Sequence, residues 1–189
     1  MAPGTTYSYA VSAVDQSNNE SGRSAALSVT TPALPTSITL NPVADTYVRA
    51  DLATTSFGTD AAIGVDGSPA KRALLRFNVQ GVAGRPVRKA VLRLWCTDSA
   101  TVGGVLHALP DSNWTEAVTW NTAPTAATAT VASLGSVQPG FWYEMDVTSL
   151  VTADGLVSMD MTSASSNGAD YSSREAAAAQ RPQLVITAG

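Results

Sequence analysis

Arginine and aromatic side chains recur on three alternating segments of the chain: ADTYVRA (44–50), RALLRFNV (72–79) and KAVLRLWCT (89–97). Side chains on a strand alternate between two faces. If the three segments pair, one outer face collects six residues: Tyr47, Arg49, Arg72, Arg76, Arg93 and Trp95. Guanidinium groups hold carboxylates in bidentate geometry, and aromatic rings offer flat apolar surfaces. The predicted face therefore suits an acidic sugar polymer.

The same residues also have a structural interpretation. Arg49 and Arg76 can form ion pairs with Asp45 and Glu175 and so hold strands together, since buried charges are almost always paired. A neighbouring loop can likewise cover Trp95. The sequence leaves the binding and structural interpretations open.

A metal site is a separate expectation. Calcium requires several oxygen ligands, and the sequence has no acidic loop of the usual calcium-binding type. Asp45, Asp111, Asp146 and Glu175 are scattered candidates for the ligands of a structural calcium ion, and we select Asp45 and Glu175. No other cofactor is required.

The stretch WTEAVTWNTAP, from Trp114 to Pro124, concentrates two tryptophans, Glu116 and Asn121 in a chain with only 6 % aromatic residues. A sugar platform, a catalytic loop and a packed structural element all fit this composition. Because large buried aromatics stabilise a core strongly, we interpret the stretch as a plug that closes one end of the fold.

The elements that position these residues are predicted to be strands. Short alternating segments are bounded by Gly, Pro, Asn, Asp or Ser, and no segment sustains a helical period. This pattern predicts an all-β sandwich of the jelly-roll type. The net charge of −4 argues against a general nucleic-acid binder, and no run of about 18 apolar residues predicts a membrane span.

The first 32 residues have a different origin from the rest. TTYSYAVSAV and AALSVTT alternate as two strands around a turn-rich stretch, and PALP follows as a stiff linker. They resemble the last two strands of a fibronectin type III domain. We expect a hairpin fragment at 1–32 and a separate domain at 36–189. Without a recognisable signal peptide at Met1, we expect the chain to be a piece of a larger polypeptide.

Within the second domain, PVADTYVRAD, RALLRFNV, VRKAVLRLWC, WTEAVTWNTAP, FWYEMDVTSLV, SSRE and RPQLVIT occur in that order. Together they resemble the DNRLRE-domain family, which is similar to carbohydrate-binding module family 96. Asn78 departs from the acid expected after Arg-Phe. The resemblance implies a non-catalytic jelly roll attached to secreted bacterial enzymes or surface proteins. It also implies polysaccharide ligands, with uronic-acid polymers such as alginate prominent.

The expected function is that of a secreted polysaccharide-binding module linked to a catalytic domain. The sequence has no GxSxG, HExxH or P-loop motif, and His107 is its single histidine. We therefore expect no catalysis by this chain. The main alternative is a structural spacer or adhesion module of a cell-surface protein, without affinity for glycans.

Overall fold

The computed structural model describes residues 1–189, which form thirteen strands and three short 3-10 helices. The helices span Ala50–Leu52, Thr148–Leu150 and Ala178–Gln180. None of them is long and apolar enough to cross a membrane. The strands are β1 Thr6–Tyr9, β2 Leu27–Thr30, β3 Thr36–Leu40, β4 Ala44–Arg49, β5 Ala62–Gly67, β6 Ala70–Val79, β7 Val87–Trp95, β8 Gly104–Ala108, β9 Thr130–Leu134, β10 Trp142–Asp146, β11 Gly155–Thr162, β12 Ala169–Ser172 and β13 Gln183–Ala188.

The chain forms two compact units. The first comprises Met1–Thr36 with Gly189, and the second comprises Ser37–Ala188. In the first unit β1 and β2 pair as an antiparallel hairpin, with Tyr7 opposite Val29. Almost every residue of this hairpin is exposed, because two strands alone enclose no core. Its origin in a fibronectin type III domain stays a prediction.

The second unit contains two sheets. One has four strands in the order β10-β7-β13-β3. The other has seven, in the order β12-β5-β6-β11-β8-β9, with β4 paired to β6. Every pair with a defined register is antiparallel. The predicted all-β sandwich is confirmed.

The main core is built from the inward side chains of both sheets. Ala90, Leu92 and Leu94 of β7 and Cys96 directly after it are all fully buried, as the alternation of KAVLRLWCT predicts. The alternate residues of β6, from Ala73 to Val79, are buried in the same cluster. The thiol of Cys96 therefore serves as a small apolar filler.

A second apolar cluster lies on the other face of the seven-stranded sheet. A long loop, residues 109–126, covers this face, and we call it the covering loop. The sheet contributes Ala44, Val48 and Leu74, and the covering loop contributes Leu109, Trp114 and Val118. The sheet is thus buried on both sides at this point.

Trp114 anchors the covering loop. Its side chain is 5 % exposed, and its indole N–H donates to Ser158 Oγ at 3.2 Å. The backbone N–H of Asn121 donates to the carbonyl of Ala53, so the loop also contacts the segment after β4. WTEAVTWNTAP is therefore a packed structural element. The predicted location was wrong, because the loop covers a sheet face and does not close the end of the sandwich.

Trp114→Ala is expected to lower the free energy of unfolding by about 3–5 kcal/mol, because it leaves a cavity under the covering loop. Urea denaturation followed by far-UV circular dichroism measures the change. Phe141→Ala is the control, since Phe141 is 59 % exposed and its truncation is expected to cost little. Equal effects of the two substitutions would contradict the role assigned to Trp114.

Candidate functional site

The structure distributes the six predicted site residues over three places. The expectation of one common face was wrong for two reasons. First, β7 lies in the four-stranded sheet, so Arg93 and Trp95 are separated from β4 and β6. Second, the β4–β6 register sets Val48 opposite Arg72 and Ala44 opposite Arg76. Tyr47 and Arg49 therefore point to the opposite side of the sheet from Arg72 and Arg76.

Arg72 lies beneath the covering loop. Its guanidinium donates to Asp160 Oδ1 at 3.0 Å and to the carbonyl of Pro124 at 3.0 Å. Its charged group also lies 5.8 Å from the ring centre of Trp120. Through these contacts the guanidinium group of Arg72 holds the covering loop against the sheet.

Arg76 has the same role at the start of the covering loop. Its guanidinium donates to the carbonyls of Ser112 and Trp114 and lies 5.0 Å from the ring centre of Trp114. The structural interpretation had expected Asp45 or Glu175 as its partner. The observed acceptors are backbone carbonyls because the loop, and no acidic side chain, packs over β6 here.

Tyr47 borders an open cleft of about 550 Å³, which we call the Tyr47 cleft. Its ring stacks on Phe57 with 4.4 Å between ring centres, and its hydroxyl donates to Asp60 Oδ2 at 2.8 Å. Burial, and the hydrogen bond to Asp60, raise the pKa of Tyr47 to about 12. The tyrosine is thus a neutral, firmly positioned wall of the cleft.

Arg49 lies beside this cleft. It forms a two-point ion pair with Asp51, at 3.0 and 2.7 Å, in place of the expected contact with Asp45 or Glu175. It also lines a smaller depression of about 110 Å³ that shares Lys71 with the Tyr47 cleft. The pair is partly exposed, and ion pairs at the surface contribute little to stability.

Arg93 and Trp95 lie on the outward side of the four-stranded sheet. The register places Trp142 of β10 opposite Trp95, and places Arg93 between Glu144 of β10 and Gln183 of β13. We call this surface the sheet face. Its residues are Lys89, Val91, Arg93, Trp95, Trp142, Glu144, Asp146, Gln183, Val185 and Thr187.

The sheet face joins an aromatic pair to a cationic group. The rings of Trp95 and Trp142 meet edge to face at 5.5 Å, and both are half-buried. The Arg93 guanidinium lies 4.9 Å from the Trp142 ring centre, with Glu144 and Gln183 as hydrogen-bond acceptors at 3.0 and 2.9 Å. A depression of about 260 Å³ opens beside Arg93.

Trp142 is the functional candidate that the sequence did not assign. The run Phe141-Trp142-Tyr143 requires neighbouring side chains to point to opposite faces. Tyr143 packs against the main core, and Phe141 precedes the strand. The register with Trp95 identifies Trp142 as the outward member, and that register is a tertiary property.

The candidate metal ligands lie in a group of charged side chains that we call the acidic corner: Asp45, Glu116, Arg174 and Glu175. Asp45 Oδ2 accepts the backbone N–H of Arg174 at 2.8 Å. The Arg174 guanidinium donates to Glu116 Oε1 at 2.7 Å and lies 3.6 Å from Glu175. Glu116 Oε1 also accepts the backbone N–H of Asp45. The covering loop is thereby tied to β4.

The acidic corner does not have the form of a preassembled calcium site. Asp45 Oδ1 is a buried oxygen without a hydrogen-bond partner, so it is an available ligand atom. However, no group of three acidic, histidine or cysteine side chains is arranged to hold a metal. Arg174 lies among the carboxylates, and calcium takes six to eight oxygens. A calcium ion at Asp45 and Glu175 remains a prediction that would need backbone and water ligands.

Comparison with known proteins gives one positive finding. The family model of carbohydrate-binding module family 96 matches residues 36–188, which include the whole of the second compact unit. No curated protein matches the chain.

Asp45 is a buried acid whose ionisation is costly. Burial is the main cause that raises the pKa of Asp45 from its ordinary 3.8 to about 7. The neighbouring carboxylates of Glu175 and Glu116 raise it further, while Arg174 opposes them. The folded protein therefore holds this proton to a higher pH than the unfolded chain does.

The stabilising contribution of protonated Asp45 is expected to be present below about pH 4 and to be lost as the pH rises through about 7. Asp45→Asn removes the titration. The difference in unfolding free energy, wild type minus Asp45→Asn, should therefore decrease as the pH is raised from 4 to 8. The expected decrease is on the order of a few kcal/mol. Urea denaturation of both proteins across this range measures the difference. A difference independent of pH would contradict the raised pKa.

Proposed function

The chain belongs to carbohydrate-binding module family 96, and we propose that it is a non-catalytic module that binds an anionic polysaccharide through the sheet face. The observation that carries this proposal is the contact of Trp95, Trp142 and Arg93 on one open sheet surface. These are the side-chain types that bind the two chemically different parts of an acidic sugar.

The aromatic pair supplies the apolar part of the site. A pyranose ring has a face of C–H groups that packs on an indole ring, and stacking depends on an open aromatic surface. Trp95 and Trp142 hold each other in an edge-to-face arrangement, which limits the motion lost on binding. A ligand ring can then pack against a preformed surface.

Arg93 supplies the charged part. Its pair with Glu144 is exposed, with 57 % of the Glu144 side chain accessible, so the pair contributes little to stability. A uronate carboxylate can replace Glu144 as the acceptor of the Arg93 Nε–H group. Lys89 and Thr187 line the same depression and add a second cation and a hydroxyl group. We therefore favour uronate polymers such as alginate.

We propose further that the module is part of a secreted protein and is linked to a catalytic domain that acts on the same polymer. Its family and its resemblance to modules of secreted bacterial enzymes support this setting. A bound module raises the effective concentration of the linked domain at its substrate. The chain itself then needs no catalytic residues.

A structural spacer without glycan affinity is the second candidate. Its support is that the covering loop occupies Arg72 and Arg76, while Phe57 and Asp51 engage Tyr47 and Arg49. Arg93 likewise donates to Glu144 and Gln183, so five of the six predicted binding residues have partners within the protein. The spacer hypothesis predicts that the sheet face also has only a structural role and that the protein has no affinity for any glycan.

Structural calcium is a subsidiary proposal with its own test. If Asp45 and Glu175 bind calcium, the ion should raise the melting temperature of the wild type relative to a chelator, because it binds only the folded state. Glu175→Gln should remove that increase. An equal melting temperature with calcium and with chelator would exclude the site.

Trp95→Ala, Trp142→Ala and Arg93→Ala are each expected to weaken binding to oligomannuronate about tenfold or more, the effect of losing about 1.4 kcal/mol of contact energy. Isothermal titration calorimetry at low and high salt measures the affinity. Wild-type binding should weaken with salt because exposed charge contacts are screened. The affinity of Arg93→Ala should depend less on salt concentration than that of the wild type.

Two matched controls separate the site from general effects. Arg23→Ala makes the same charge change in the first compact unit, and Phe141→Ala removes an exposed aromatic side chain. Both should bind like the wild type. Loss of affinity in the controls, or no wild-type binding to any glycan, would reject the sheet face. Reducing ends or unsaturated sugars released by the wild type would reject a non-catalytic role.

A further inference from the structure

We propose that the Tyr47 cleft is a second saccharide site, and that it takes a neutral sugar unit through a pair of adjacent hydroxyl groups. The cleft is lined by residues of β4, β5, β6 and β12, by the segment 59–61 before β5, and by Thr97 after β7. It includes no residue of the sheet face. This inference extends the proposed carbohydrate binding to another surface. It does not depend on Trp95, Trp142 or Arg93.

The size and lining of the cleft suit a sugar unit. Its volume of about 550 Å³ falls within the range of small-molecule sites, which is about 300–1,000 Å³. Polar side chains predominate in the lining, which comprises Tyr47, Thr59, Asp60, Ala61, Ala62, Lys71, Thr97 and Asp170. A ligand here would be held mainly by hydrogen bonds.

The ion pair of Lys71 and Asp170 is the central recognition element. The ammonium nitrogen lies 2.7 Å from Asp170 Oδ1, and both side chains are partly accessible, at 20 % and 38 %. An ammonium group has three donors and a carboxylate has two acceptor oxygens, so each partner keeps unused bonding capacity. One sugar hydroxyl can donate to Asp170 while the adjacent hydroxyl accepts from Lys71.

The net charge of the cleft disfavours acidic sugars. Asp60 and Asp170 oppose the single cation Lys71, so the lining carries one net negative charge. A uronate carboxylate would be repelled here, whereas hydroxyl groups can donate to both aspartates. The preference is therefore opposite to the one proposed for the sheet face.

Tyr47 positions the polar groups and is not a free stacking surface. Its ring already stacks on Phe57, and the Lys71 ammonium lies 4.9 Å from its ring centre. Its hydroxyl orients Asp60 at 2.8 Å. The tyrosine thus fixes both the cation and one of the acceptors.

Gly64 shows that the ion pair depends on a close approach to the backbone. It lies opposite Asp170 in the β5–β12 register. A Cβ atom at Gly64 would lie 1.8 Å from Asp170 Oδ1 and 2.6 Å from the Lys71 ammonium nitrogen. Gly64→Ala therefore displaces both charged groups without altering either residue. Since the affected atoms are side-chain ends, the fold can accommodate the change.

The test uses the full chain and three neutral probes: mannohexaose, xylohexaose and cellohexaose, with oligomannuronate for comparison. ¹H–¹⁵N NMR titration should show shifts at the backbone amides of Ala61, Ala62 and Thr97 with at least one neutral probe. Asp170→Asn and Gly64→Ala should each weaken that binding about tenfold, because a charge-assisted contact is lost. Asp111→Asn, the same change at an exposed loop position, should have no effect.

The outcomes separate this site from the sheet face. Binding of a neutral probe that persists in Trp95→Ala and is lost in Asp170→Asn supports the second site. This holds whether or not the protein also binds oligomannuronate. Three results would overturn it: no shift at cleft amides with any neutral probe, undiminished affinity in Asp170→Asn, or shifts confined to the Trp95 and Trp142 indoles. Gly64→Ala retaining full affinity would also count against it, provided its melting temperature shows a folded protein.

Discussion

The buried ion pair between Arg72 and Asp160 is the interaction on which the outer side of this domain depends. Asp160 is 1 % exposed, and burial raises its pKa while Arg72 opposes that rise. Two charges removed from water are tolerated only when they are paired and hydrogen-bonded. The carbonyl of Pro124 meets part of this requirement, so the ion pair and the covering loop need each other. Arg76 contacts the start of the covering loop in a related way, through the carbonyls of Ser112 and Trp114 but without an acidic partner.

The covering loop limits which surfaces of the domain stay accessible. The seven-stranded sheet packs against the main core on one side and against the covering loop on the other. Arg72 and Arg76 of this sheet therefore bind the covering loop and are not available to a ligand. The outward side of the four-stranded sheet has no comparable cover, and its tryptophans and Arg93 stay partly accessible. A second opening remains at the Tyr47 cleft.

The two proposed surfaces differ in chemistry in a way that is useful for a polysaccharide binder. The sheet face combines aromatic rings with two cations, Lys89 and Arg93, and two carboxylates. The Tyr47 cleft has no free aromatic surface, and its lining carries one net negative charge. We propose that a polymer with both acidic and neutral units binds both surfaces. Two linked weak contacts give a much higher overall affinity than either one alone. The variants proposed for each surface leave the other intact.

The sequence by itself determined the strands and their buried sides. Alternation along KAVLRLWCT and RALLRFNV identified Leu92, Leu94 and Phe77 as core residues, because a period of two is a local property of the chain. The composition of WTEAVTWNTAP likewise indicated a packed element. Only the tertiary structure decided which strands are neighbours and which sheet face the tryptophans cover. It placed Arg93 and Trp95 in a different sheet from Arg72, and it set the β4–β6 register that turns Tyr47 away from Arg76. A shift of one residue in register reverses every side chain of a strand, and contacts between distant segments fix that register.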